Sequence, residues 1–189
     1  MRCLLMSIKQ EWCELILNGE KTIEIRKSRP NELSTPFKCY IYCTKSGAKE
    51  DSIAKPGKVI GHFICDRIIP IRVFEDGLIQ DWNWNSLEKS KVPYDDMATY
   101  IGHGKTGYGY QISNLKIYKE SIDITEFQTI CNGDLDSKCH KCKYYYSESS
   151  EDGFYEECML NNIIPVKRPP QSWMYTYEEI PRNDKTIII

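Results

Sequence analysis

The alternation of apolar and polar positions divides the chain into short elements. Cys3–Ile8 is a compact apolar run with strand character. Ser7-x-x-Gln10 has the spacing of a capping box, which predicts a helix from Ser7 to Asn18. Ile8, Trp12, Leu15 and Ile16 recur at helical spacing and predict one buried face. Asn18-Gly19 supplies a left-handed stop. The period then changes to two, with Ile23 and Ile25 between Thr22, Glu24 and Arg26, as in a half-buried strand beneath the helix. Phe37–Thr44, Val59–Val73 and Tyr108–Tyr118 continue the strand pattern, and Tyr94–Ile101 reads as a short helix. A Lys/Gly/Asp-rich loop spans Lys45–Gly57, and Trp82–Val92 fits neither period. Several short strands with two convincing helices predict an α+β or barrel-like fold, with the first helix packed across one opening of a mostly antiparallel barrel.

Beyond Thr129 the texture shifts to a charged, Ser/Tyr-rich stretch containing Cys131, Cys139, Cys142 and Cys158. The expected organisation is a barrel over 1–128 and a cysteine-rich appendage with a closing segment over 129–189. The apolar run near Ile60–Ile71 is broken by His62, Asp66 and Arg67, far short of the roughly 20 apolar residues of a membrane span. The opening MRCLLMSIKQEW reaches Lys9 and Glu11 too soon for a secretory leader. These features predict a cytoplasmic protein away from membranes, with its nine cysteines reduced.

The net charge of −2 argues against a non-specific nucleic-acid coat, but its distribution is uneven. Residues 1–72 hold 13 Lys and Arg against 8 Asp and Glu, whereas the remainder holds 12 against 19. That asymmetry fits either a polyanion-binding face or scattered solvated lysines.

Candidate chemistry concentrates at Gly19-Glu20-Lys21-Thr22-Ile23-Glu24-Ile25-Arg26. Lys21 is expected near the turn, with Glu24 and Arg26 on one strand face. Lys and Arg bind phosphate or polarise a carbonyl, and Glu accepts a proton or hydrogen bond. On residue chemistry alone the plain reading is a surface ladder of ion pairs. The spacing of Gly19, Lys21, Glu24 and Arg26, placed after the helix of MSIKQEWCELILNGEKTIEIRK, resembles the signature of the ASCH domain family. GYGYQISNLKIY and RPPQSWMYTYEE are similar to segments of its bacterial and phage members.

The resemblance implies a PUA-like small β-barrel with flanking helices, the motif lining a charged cleft. It implies binding of RNA, single-stranded nucleic acid or a nucleotide through Lys21, Thr22, Glu24 and Arg26. The alternative it carries is a hydrolase of the ribonuclease or amidohydrolase type, with Lys21 and Glu24 as acid/base pair. In the amidohydrolase group a threonine stands where this sequence has Glu24; the nearby hydroxyl here is Thr22.

The late cysteines have the spacing C-x7-C-x2-C-x15-C. The Cys139–Cys142 knuckle, closed by Cys131 and Cys158, predicts a structural zinc, with His140 in reserve. Cys3, Cys13, Cys39, Cys43 and Cys65 sit in apolar segments and read as core residues. Gly104-Lys105-Thr106 lacks the upstream glycine of a phosphate loop, with Thr99 in its place. Trp82 and Trp84 read either as stacking platforms for bases or as a cover over the barrel mouth.

Overall fold

In a computed structural model, residues 2–47, 53–81, 86–130, 163–177 and 186–188 are described. The elements in chain order are β1 (Arg2–Ile8), α1 (Gln10–Leu17), β2 (Ile23–Arg26), β3 (Phe37–Cys43) and β4 (Val59–Val73). There follow β5 (Ile79–Asp81), α2 (Ser86–Ser90), α3 (Tyr94–Ile101) and β6 (Thr106–Ile122). After a 3-10 turn at Ile124–Glu126 come β7 (Gln128–Ile130), β8 (Ile163–Pro165), β9 (Trp173–Tyr177) and β10 (Thr186–Ile188).

The main sheet runs β10-β6-β4-β3-β1-β9, with β2 added to β6 and β5 to β4; β7 and β8 form a separate ribbon. The fold is therefore α+β, with a large mixed sheet and few helices. Cys3, Leu4, Leu5 and Met6 are all buried because β1 lies between β3, which is parallel to it, and β9, which is antiparallel. A strand covered on both faces is apolar throughout rather than alternating. The parallel β1–β3 pair needs a crossover, and α1 with β2 provides it.

Closure of the sheet into a barrel is not found. Among the described residues the ladder is an open path whose ends, β10 and β9, do not pair with each other. The long strands account for this. β6 gives its first half to β2 and its second half to β10 along one edge, while β4 is shared in the same way between β5 and β3. Register shifts at Val59/Gly61, His62/Ile64 and Cys65/Ile68 coil the β4–β6 pair. Coiling without a closing ladder leaves two edges.

The core is in three parts. One lies beneath α1, around Leu4, Met6, Ile16, Phe63 and Tyr110. Another surrounds Leu5, Tyr42 and Phe127. A third lies beneath α3, where Ile23, Ile25, Ile71 and Met97 meet. All five cysteines read as core residues are buried, with no disulfide among them. Among the described residues no helix is long and apolar enough to cross a membrane.

Two details of the first helix differ from expectation. Ser7 does not cap it. The β1–β3 ladder continues to Ile8↔Cys43, so Ser7 remains in the strand, and its hydroxyl donates to the Pro170 carbonyl at 2.7 Å. Lys9 becomes the N-cap, without a side-chain bond. The buried face consists of Gln10, Cys13, Ile16 and Leu17, whereas Trp12 and Leu15 are only half-buried.

Candidate functional site

The charged motif is placed by a tight helix stop. Gly19 has φ of +73°, and its N–H donates to the Ile16 carbonyl while that of Glu20 donates to Leu15. This paired 6→1 and 5→2 arrangement turns the chain sharply off α1, and glycine takes the left-handed position at no steric cost. The Lys21 N–H also donates to Leu15, which aims the lysine stem back beneath the helix.

β2 then pairs with β6, setting Glu24 opposite Tyr110 and Arg26 opposite Tyr108. Glu24 and Arg26 therefore share one face. Arg26 Nη1 lies 2.7 Å from Glu24 Oε1, and Lys21 Nζ lies 3.3 Å from Glu24 Oε2. This is no surface ladder: Lys21 is 1% exposed, Glu24 3% and Arg26 8%. The expected emergence of Lys21 at the turn is overturned, because α2 and Trp12 cover it. Its ammonium donates to the Ser90 carbonyl at 2.5 Å and sits 5.0 Å from the Trp12 ring centroid.

Arg26 is held as firmly. Nη2 donates to the Ser7 carbonyl at 2.6 Å, and Nη1 also reaches the Ile25 carbonyl at 3.3 Å. Two cations and one carboxylate leave a surplus positive charge in a region where water is excluded. Burial lowers the pKa of Lys21, the Glu24 carboxylate opposes that shift, and Arg26 reinforces it. Among the described residues, Glu24 Oε2 and Arg26 Nε make no hydrogen bond. Arg26 Nε is thus a spare donor, whereas Glu24 Oε2 is engaged by the Lys21 ammonium alone.

Beside it, the Cys13 thiol donates to the Ile8 carbonyl at 3.6 Å. Its neighbour Cys43 and burial push Cys13 well up, whereas the interaction with Cys13 lowers Cys43. Thr22 makes none of the contacts that hold the trio. Its N–H donates to the Lys89 carbonyl and its own carbonyl accepts from Ile112, both at 2.9 Å. Gly104, at φ of +71°, lies in the turn between α3 and β6, and Lys105 is exposed.

The structure thus brings Lys21, Glu24 and Arg26 together, with Thr22 between them in the chain and outside their contacts. Sequence reasoning missed the carbonyls of Ser7 and Ser90 and the cover supplied by Trp12. Backbone acceptors leave no residue signature, but the half-polar indole within a helix face was a usable signal.

Cys131, Cys139, Cys142 and Cys158, with His140, lie outside the described residues, as do Trp82 and Trp84. Among the described residues no three His, Cys, Asp or Glu side chains are grouped to hold a metal.

Residues 6–75 match the family model of the ASCH domain. No curated protein matches the chain. The crystal structure of an ASCH protein from Zymomonas mobilis superposes with a TM-score of 0.51 at 14% identity, covering 91% of this chain and 85% of that one. A serine-to-alanine mutant from the same organism gives 0.50 at 16% identity, covering 91% and 86%. At such identities the likeness is one of fold.

Proposed function

Since the chain belongs, through residues 6–75, to the ASCH domain family, we propose that it binds RNA or a nucleotide at a charged cleft built on Gly19–Arg26. The observation that carries this reading is the buried surplus cation: Lys21 and Arg26 converge on the one carboxylate of Glu24. A buried, incompletely neutralised charge is costly to the fold and favours a bound anion or hydrogen-bonding partner.

The roles divide by which atoms are engaged. Arg26 has both terminal nitrogens committed to Glu24, Ile25 and Ser7, so it fixes the carboxylate and offers Nε. Lys21 is the point charge for phosphate or a base edge, reached when the half-exposed Trp12 ring swings aside. Glu24 Oε2 accepts a ligand hydrogen. Thr22 borders the same turn. Binding of this kind weakens with added salt in proportion to the phosphates neutralised.

The test is a titration with short single-stranded RNA and with modified nucleosides, comparing wild type with Lys21→Ala and Glu24→Gln. Affinity that falls with Lys21→Ala, without turnover in any protein, supports the binding reading. Turnover abolished by Glu24→Gln at undiminished affinity would replace it with a hydrolase using Lys21 and Glu24. Wild-type affinity in both variants would remove the site.

A further inference from the structure

On the face of β2 turned away from Glu24 and Arg26 lies a cavity of about 150 Å³. It is lined by Ile23 and Ile69 on its apolar side and by Thr22, Gln111 and Lys89 on its polar side, with Ile112 beside them. The ladder explains the placement. Ile23 stands opposite Gln111, and Ile69 opposite Gly109 two residues away, so the Ile23, Gln111 and Ile69 side chains share the face that α2 covers. α2 joins this cavity to the charged trio. Its Lys89 carbonyl accepts from the Thr22 N–H, and its Ser90 carbonyl accepts from Lys21 Nζ.

We propose that this cavity is a binding pocket for one unstacked pyrimidine base of a single-stranded RNA. The proposal rests on the nucleic-acid reading above and extends it to a surface the charged motif does not include. Three features define the occupant. A cavity of about 150 Å³ admits one six-membered aromatic ring, which argues for a single ring over the fused pair of a purine. Ile23 from β2 and Ile69 from β4 give the cavity an apolar floor on which the edge of a flat ring can rest.

The polar groups match its edge. The Gln111 carboxamide offers a donor and an acceptor side by side, and the Thr22 hydroxyl offers either. Among the described residues neither side chain has a hydrogen-bond partner. Pyrimidines present adjacent donors and acceptors of this kind once unstacked. Lys89, the one cation in the lining, is exposed, so it suits the phosphate of the same nucleotide rather than a buried anion.

The pocket is tested by protein-detected NMR titration of the full chain with uridine, cytidine, adenosine and guanosine 5′-monophosphates and the matching nucleosides. Gln111→Met and Lys89→Ala are compared with wild type, and binding to a short single-stranded RNA is measured in parallel. The expected result is saturable binding of pyrimidine nucleotides, with amide shifts at Thr22, Gln111 and Ser86. Purine nucleotides should bind at least about tenfold more weakly, because the second ring has no room. Gln111→Met should weaken pyrimidine binding about tenfold. Lys89→Ala, an exposed change that spares the fold, should remove only the advantage of nucleotide over nucleoside.

Equal affinity for purines, or pyrimidine binding unchanged in folded Gln111→Met, would overturn the pocket. So would RNA binding by wild type with no mononucleotide shift at these amides, which would leave the charged-motif reading intact. Pyrimidine binding at these amides without any RNA binding would instead uphold the pocket and remove the RNA reading.

Discussion

Glu24 Oε1 and Arg26 Nη1 lie 2.7 Å apart on the buried face of β2, and Lys21 approaches the other oxygen of the same carboxylate. One acid is therefore shared by two cations, none of the three residues being more than 8% exposed. Removing one member of such a set is more damaging than its net contribution suggests, because the remaining charges stay buried.

Glu24→Gln should consequently destabilise the protein by about 3–5 kcal/mol in urea denaturation. Adding Lys21→Met should recover part of that loss, since the double variant no longer leaves the ammonium buried without its carboxylate. The pair should show a coupling energy of about 1–3 kcal/mol. Strict additivity of the two changes would show that the carboxylate and ammonium do not interact.

How far this site was legible in the sequence depends on what each residue's neighbours are. The helix stop was readable because Asn18-Gly19 carries its own conformational preference. The shared face of Glu24 and Arg26 was readable from the period of two. The burial of Lys21 was not, because a lysine is exposed by default and its cover comes from Ser90, 69 residues away. The phase of α1 was misjudged because Trp12 resembled a core anchor and was given the place that Cys13, itself read as a core residue, takes on the buried face. Ser7 matched a local capping pattern, yet the ladder to Cys43 was the stronger constraint. The open sheet was hidden because its outermost strands, β9 and β10, come from the distant end of the chain.

A second pair gives a pH signature away from the site. Lys58 Nζ donates to Asp123 Oδ2 at 2.8 Å, and the Thr125 N–H and hydroxyl donate to Oδ1. The lysine bond first, and then the Thr125 bonds, hold Asp123 well below its ordinary 3.8. The same contact raises Lys58 above 10.5. An acid depressed in the fold takes up its proton first in the unfolded chain. Its stabilising contribution is complete above about pH 4 and declines as pH falls toward the folded value. The raised lysine contributes below 10.5 and loses its contribution as pH climbs through its folded value. The gap in denaturation midpoint between wild type and Asp123→Asn should therefore be widest near neutrality and narrow below about pH 4. A gap independent of pH on the acid side would show that the carboxylate is not preferentially ionised in the fold.

The C-x7-C-x2-C-x15-C cluster of Cys131, Cys139, Cys142 and Cys158 supplies four thiolates, the donor set of a closed structural zinc site. We propose one zinc held there. Elemental analysis of protein purified without added metal should find about one equivalent, and Cys139→Ser with Cys142→Ser should abolish it. Folded protein with zinc near zero would remove the metal and return these cysteines to packing or redox roles.

The Trp12 indole is expected to act as a cover over Lys21, not as a core anchor. It is half-buried and its ring centroid stands 5.0 Å from the ammonium. Trp12→Ala should therefore cost less than the roughly 3–5 kcal/mol of a fully buried tryptophan. What it should change sharply is access. Burial is what lowers the pKa of Lys21, and uncovering it relieves that shift while Glu24 still favours the charged form, so the change to be read is one of access. Brief acetylation read by peptide mass spectrometry should find Lys21 protected in wild type and in Trp12→Phe, where a ring still covers it. In Trp12→Ala it should become modified, approaching the extent seen at the exposed Lys9. Continued protection in a folded Trp12→Ala would show that α2 alone shields the ammonium, and that a ligand must reach it by moving α2.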